Sequence, residues 1–315
     1  MLEWKVKDIS IDENSTIEHI MQEMLNSGGF MARHLALASS ILGNMLNDME
    51  CFKFLSFVGA LIATGLRGVV RDMIKYKMFN AVITTCGALD HDIARAYSDY
   101  YTGEFDLDDY KLADEHIHRL GNVLVPLSNY GPLIEKIVQQ VLGESYEKGV
   151  KELSSHELCY LLGKNANESS FLYWAYKNDI PVFVPGIMDG AIGTQVWLFA
   201  QRHKDFRLNL LKDADRLAEL VFNAKRSGAL MIGGGISKHH TLWWNQFKGG
   251  LDYAVYITTA VEYDGSLSGA LVKEAISWGK VKIDAKHVTV HGEATLILPF
   301  LFASMLRSLR IRLNK

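Results

Sequence analysis

The sequence predicts an α/β fold in which a mainly parallel sheet is flanked by helices. Three observations carry this expectation. Short apolar runs recur along the chain, at residues 52–62, 81–85, 181–184, 229–232 and 252–259. Each leads into glycine or other turn residues and then into a helical pattern, and that alternation is the sign of parallel βαβ units. Finally, 315 residues with 49% hydrophobic and 22% charged side chains are enough for a sizeable core of ordinary globular composition. No stretch rich in Pro, Gly or Ser divides the chain. Residues 1–315 are therefore read as one domain, with 1–50 as an N-terminal helical segment.

Taken in order, Ser15-Thr16-Ile17-Glu18 fits a capping box, and Ile17, Ile20, Met21 and Met24 follow at helical spacing until Gly28-Gly29. A second helix is expected over 30–46. Residues 52–62 read as a buried strand, and Thr64-Gly65-Leu66-Arg67 turns into a helix that runs through Tyr76. Strand 81–85 leads to Cys86-Gly87-Ala88 and a helix from Asp90. The region 101–129 starts polar and acidic and reads as an excursion at the sheet edge. Helices follow over 130–143, 154–162 and 169–178, the second opening with a capping box from Ser154 to Glu157. Strand 181–184 precedes Asp189-Gly190 and a helix holding Trp197. A long helix is expected over 206–226, then strand 229–232, the run Gly233-Gly234-Gly235, and a helix beginning near Lys238. Strand 252–259, a turn-rich loop, a short helix closed by Gly279, strand 287–291 and helix 294–306 complete the chain.

The bulk numbers exclude some functions. A formal charge of −3 leaves no basic footprint for nucleic acid. Cys51, Cys86 and Cys159 show no CxxC or paired spacing, which favours a reduced, cytoplasmic setting over a disulfide scaffold. The start MLEWKVKDISIDEN is acidic and lacks the apolar core of a signal peptide. The longest apolar runs, around 58–64 and 296–306, are too short to span a bilayer. No HExxH or Cys/His set suggests a metal.

Chemistry concentrates around LVKEAISWGK, residues 271–280. Leu271, Glu274 and Trp278 share a helical face, and Lys280 emerges just after Gly279 beside an indole. Such a lysine has two readings. It can lay its stem on apolar surface before the next strand. Or, if burial lowers its pKa, it can act as an amine nucleophile on a carbonyl or imine carbon, with Trp278 as apolar wall and cation-binding face. Gly233-Gly234-Gly235, between strand and helix, suits either a nucleotide phosphate or a tight turn. His239-His240 opens the next helix and by itself reads as one surface and one packing histidine, although a histidine titrating near neutrality can serve general acid/base work.

The segment YDGSLSGALVKEAISWGK, with GGGISKHH some thirty residues earlier, closely resembles the deoxyhypusine synthases, and the resemblance runs roughly over 52–313. It implies a Rossmann-like α/β fold, a homotetramer with sites shared between paired subunits, NAD as cofactor, and transfer of the aminobutyl group of spermidine through an imine on Lys280. The implied acceptor is a lysine of the hypusine-containing translation factor. By the same resemblance His239 takes part in proton transfer, while Tyr256, Glu274 and Trp278 form the polyamine wall, with Asp90 and His91 also on the substrate side. The cofactor positions implied are Thr85, Cys86, Gly87, Asp189, Gly233, Gly234, Gly235, Thr259, Ala260, Asp264, Glu293 and Ala294.

The chain also departs from the family pattern. Thr194 and Leu267 replace acids of the eukaryotic pattern, and His91 replaces a glutamate. Cys86 stands where alanine is frequent, and Glu293-Ala294 where the best-known members have Asp-Ala. Each lost acid removes a partner for a polyamine ammonium. A homospermidine synthase-like transfer to a small diamine, and a catalytically silent NAD-binding homologue, are the competing readings.

Overall fold

The computed structural model describes residues 5–313, so residues 1–4 of the acidic start lie outside the described residues. The chain forms two compact units. One holds residues up to Ser56, Met78–Asn80 and everything from Ala218 on; the other holds Phe57–Lys77 and Ala81–Leu217.

In the first unit the strand Leu251–Thr258 lies between two parallel neighbours. Tyr253 to Ile257 register with Gly228 to Ile232 of the strand Arg226–Ile232. Ala254 to Thr258 register with His287 to His291 of the strand Val281–His291. Leu230, Ile232, Ala254, Val255 and Ile257 are buried. A strand covered on both faces needs such a continuous apolar run, and β-branched side chains suit it. Against these strands packs the helix Phe30–Asn47, whose His34 Nδ1 lies 2.8 Å from the Thr289 carbonyl. The helix Ala294–Leu313 packs in turn on Phe30–Asn47, and Ser39 and Ser304 hydrogen-bond across that contact.

The second unit pairs Ala81–Ile83 with Val182–Phe183, again in parallel, Val82 opposite Val182. Helices Leu66–Lys75, Cys86–Tyr97, Gly131–Glu147, Ser155–Asn165, Phe171–Asn178 and Ala191–Arg202 belong to it. Asp92 is fully buried, pairs with Arg67 Nε at 2.7 Å and accepts from Ser170 Oγ and the amides of Phe171 and Leu172. One carboxylate thus neutralises a buried guanidinium and satisfies a helix N-terminus, as a buried charge must. The expected capping box is present: Ser154 Oγ accepts from Glu157 N at 3.2 Å, and Glu157 returns the bond to Ser154 N at 2.8 Å.

Several boundaries differ from the sequence expectation. The first strand stops at Phe57, and Gly59 opens a short helix, Ala60–Ala63. A side chain at Gly59 would place its Cβ 2.8 Å from the Gly87 carbonyl carbon, so close backbone approach bends the chain there. The first helix is capped by Thr16, whose Oγ1 accepts from His19 N, because Ser15 Oγ is already engaged with Asp12. The expected helix over 206–226 is a short strand, Arg207–Leu208, then a helix, Leu211–Asn223, and the strand Arg226–Ile232 begins three residues early. The last strand begins at Val281 rather than 287, since Lys282, Asp284 and Lys286 masked its pattern. The last helix runs past 306, with Pro299 near its start. Residues 101–129 build their own antiparallel sheet, Tyr101–Thr102, Val123–Pro126 and Ile117–Leu120 in that order.

Candidate active site

The lysine after Gly279 is held by its backbone before its side chain is considered. Between Leu251–Thr258 and Val281–His291 the chain makes a loop and a single helical turn, Glu274–Ser277, pinned by buried Val272 and Ala275. Trp278 ends that turn, and Gly279 takes the left-handed conformation, φ 66°, that helix termini reserve for glycine. Lys280 N then donates to Ala275 O, and Lys280 O accepts from Leu251 N, both at 3.0 Å. Gly250, at φ 100°, passes so close that a Cβ on it would sit 2.9 Å from the Lys280 carbonyl carbon.

The side chain extends into an aromatic setting. Lys280 Nζ stands 5.1 Å from the ring centre of Trp278 and 5.7 Å from that of Trp243, within cation–π range. Both indoles remain open to solvent, Trp278 at 67% and Trp243 at 42% exposure, so the ammonium sits against an accessible wall. The His239 ring lies 5.8 Å from the Trp243 ring at an interplanar angle of 31°. Burial, then the positive charges of Lys280 and Lys238, hold His239 below the usual imidazole range. At neutral pH it is an uncharged base beside the Lys280 amine.

Lys238, the neighbour of His239 in the helix Gly235–Gln246, is 3% exposed. Its Nζ donates to the carbonyls of Leu267 and Ala270 and lies 3.9 Å from the ring centre of Tyr256. Burial lowers its pKa to about 8, while Glu274 opposes the shift. Tyr256 is fully buried; its hydroxyl donates to Ser268 O at 2.7 Å, and Thr258 Oγ1 reaches the same oxygen at 3.1 Å. The loop of Leu267, Ser268 and Ala270 is thereby fastened over the glycine turn. A Cβ at Gly234 would meet Ser268 Oγ at 2.1 Å, so glycine is required there by the loop itself. Gly233 and Gly235, at φ 74° and 66°, make the turn into the helix Gly235–Gln246.

Of the remaining positions in this unit, Glu274 and Asp264 are exposed, and Asp264 Oδ1 accepts from Ser266 N. Thr259 and Ala260 follow the strand end, where a depression of ≈ 520 Å3 is lined by Val261, Glu262, Tyr263 and His291. Glu293 Oε2 caps the helix Ala294–Leu313 through the amides of Thr295 and Leu296.

In the second unit Thr85 precedes the helix Cys86–Tyr97, so Cys86 and Gly87 form its first turn rather than a loop before it. Cys86 is buried and its thiol pKa is pushed up by that burial. Asp90 is fully buried and accepts from the amides of Ala191 and Ile192 and from Tyr130 Oη, capping the helix Ala191–Arg202. His91 Nδ1 lies 3.0 Å from Tyr100 Oη, and burial lowers its pKa to about 4. Asp189 is exposed, as is Thr194, whose hydroxyl donates to Gly190 O. The sequence reading missed Trp243 and gave Lys238 no role. The available signal was the i,i+4 spacing of His239 and Trp243, which puts both on one helix face.

A lysine seated against two indoles beside a histidine, just ahead of the amino ends of the parallel strands Leu251–Thr258 and Val281–His291, marks an α/β enzyme with a candidate amine-centred site. The known proteins similar to this chain narrow that class. The family model for deoxyhypusine synthase matches residues 19–305. A probable deoxyhypusine synthase of Picrophilus torridus is 52% identical over 308 residues, covering 98% of each chain. That of Thermoplasma volcanium is 52% identical over 307 residues, covering 97% of this chain and 98% of its own. Among solved structures, a putative deoxyhypusine synthase from Entamoeba histolytica matches at TM-score 0.64 and 19% identity, covering 96% of this chain and 97% of its own. That last likeness bears on the fold. The chain belongs to the deoxyhypusine synthase family and is a transferase.

Proposed function

We propose that this enzyme transfers the aminobutyl group of spermidine, with NAD as cofactor, to a lysine of the hypusine-containing translation factor. The observation that supports this best is the Lys280 amine, seated against Trp278 and Trp243 with His239 stacked on the latter.

The chain's residues suit the cofactor. The glycine turn 233–235 opens a helix with no side-chain cap, and nothing lies within 4 Å of a Cβ placed at Gly235. That leaves amide donors and room for a phosphate. Gly233, Gly234, Gly235, Thr259, Ala260, Asp264, Glu293 and Ala294 would hold it on this unit. Thr85, Cys86, Gly87 and Asp189 are further cofactor positions that the family resemblance implies. When bound, NAD supplies a hydride acceptor for the carbon beside the secondary amine of spermidine and returns that hydride at the end.

The protein's own groups carry the transfer. The Lys280 amine, having given up a proton, adds to the resulting imine carbon, the bond from that carbon to the original nitrogen breaks, and 1,3-diaminopropane leaves. The four-carbon unit then rests on Lys280 as an imine. The acceptor lysine displaces Lys280 in the same way. His239, uncharged at neutral pH, takes the proton released as each amine adds and returns it to the amine that leaves. Trp278 and Trp243 pack along the alkyl chain and give the imine an aromatic wall. Glu274 pairs with a substrate ammonium.

Exposed apolar side chains such as Trp243, Phe247 and Leu296 favour assembly, in keeping with a homotetramer. Three buried free cysteines suit a reducing cytoplasm.

The test is mass spectrometry after incubation with NAD and spermidine and reduction with borohydride. A four-carbon amine adduct on Lys280, absent in Lys280→Ala and reduced in Trp243→Ala, is expected. An intact, NAD-binding protein with no adduct would sink the proposal. Competition between the factor protein and putrescine as acceptors then separates this activity from homospermidine synthesis.

A further inference from the structure

The nitrogen of Lys280 is partnered by rings and by no anion. Its Nζ lies 5.1 Å from the ring centre of Trp278 and 5.7 Å from that of Trp243. Among the described residues, no carboxylate forms an ion pair with it. Trp243 is itself braced by neighbours one helical turn away on either side. Phe247 meets its ring edge to face at 5.8 Å, and the His239 ring lies 5.8 Å away on the other side in sequence.

An aromatic face is electron-rich, so it favours positive charge at a nitrogen held near it. Two cations can arise on Lys280. The ammonium has three N–H donors and is strongly hydrated. An iminium is planar, keeps one N–H and spreads its charge onto carbon. A planar, weakly hydrated cation stacks on aromatic rings at less cost in lost water than an ammonium, as a guanidinium does. The two indoles therefore stabilise the iminium more than the ammonium from which it forms, and that difference is what accelerates a reaction.

We propose that Trp243 is a catalytic residue that stabilises the iminium cation on Lys280. The inference rests on the Lys280 imine of the proposed transferase reaction. There the Lys280 nitrogen forms its bond to the four-carbon unit, and the departing amine takes the electron pair of the broken C–N bond. Positive charge is left on the Lys280 nitrogen, and this charged form is the one the acceptor amine attacks. Because His239 is uncharged at neutral pH, no second cation competes for the Trp243 ring.

The test uses butanal and cyanoborohydride at pH 7, with neither NAD nor spermidine, so its failure is distinct from failure of the transferase reaction. The Lys280 amine and butanal lose water to form an iminium, cyanoborohydride delivers hydride to its carbon, and peptide mass spectrometry follows butylation at Lys280. Exposed Lys164, in the other unit, is the internal standard. Trp243→Leu should slow butylation of Lys280 about fivefold relative to Lys164, whereas Trp243→Phe should retain at least half the wild-type rate. Trp243 is 42% exposed, so both variants keep the core intact. Fluorinated tryptophans placed at position 243 should lower the rate stepwise with each fluorine, because fluorine drains the ring face and barely changes its size. Three results would overturn the proposal: Trp243→Leu as fast as wild type, the leucine and phenylalanine variants equally slow, or a rate indifferent to fluorination.

Discussion

Replacing Lys238 by methionine removes a buried charge while keeping a flexible side chain of similar length. The wild-type ammonium is 3% exposed, and burial brings its pKa from an ordinary 10.5 to about 8. At ~1.36 kcal/mol per pKa unit, that difference is worth about 3 kcal/mol. Between those two values the unfolded chain binds more protons than the folded one, so stability rises with pH across the window. Below pH 8 the buried charge therefore destabilises the fold by about that amount, and the penalty fades as pH approaches 10.5. Methionine escapes it but leaves the Leu267 and Ala270 carbonyls without their donor, at ~1–3 kcal/mol for unsatisfied buried acceptors. Near pH 7 the two effects nearly cancel. Urea unfolding of both proteins at several pH values from about 7 to 10.5 reads the difference. Wild type should gain about 3 kcal/mol on Lys238→Met over that range. The phenol of Tyr256, raised by burial, titrates higher and does not mimic this. A difference that stays flat with pH would show that Lys238 is not a buried cation.

Asp92→Ala strands the buried Arg67 guanidinium and three other donors, so denaturant unfolding should show a loss of ~3–5 kcal/mol. Gly250→Ala forces a side chain into the left-handed region and against Lys280. It should cost ~1–3 kcal/mol in strain and slow adduct formation at Lys280 in trapping assays; unchanged trapping would show that this approach does not position the lysine. The lowered pKa of His239 keeps its neutral form present through pH 6.5, so adduct formation should decline only below that. His239→Gln should be slower at every pH and lose that acid limb; a limb that persists in the variant would belong to another group.

Much of the fold was legible in local pattern. The apolar run at 252–259 and its glycine-terminated neighbour at 229–232 became adjacent parallel strands, because buried parallel strands need continuous apolar side chains. The Ser154–Glu157 box formed because every donor and acceptor in it lies within one turn. Illegible stretches were those decided by distant partners. Val281–His291 hid behind alternating charges because its register is set by Leu251–Thr258. The break at 58–59 comes from the backbone at Gly87, nearly thirty residues on.

The candidate site divides along the same line. Sequence by itself determined that Lys280 follows a glycine-ended turn beside Trp278, that a glycine turn precedes His239, and that the chain resembles one family throughout. Those facts live in covalent neighbours and helical spacing. Tertiary structure alone brought Trp243 to the second face of the Lys280 ammonium and buried Asp90 as a helix cap. It also made Lys238, which the sequence marked only as the start of a helix, the group that fastens a loop over the glycine turn. Burial and through-space partners set the electrostatics of each group, and neither is written in the order of residues.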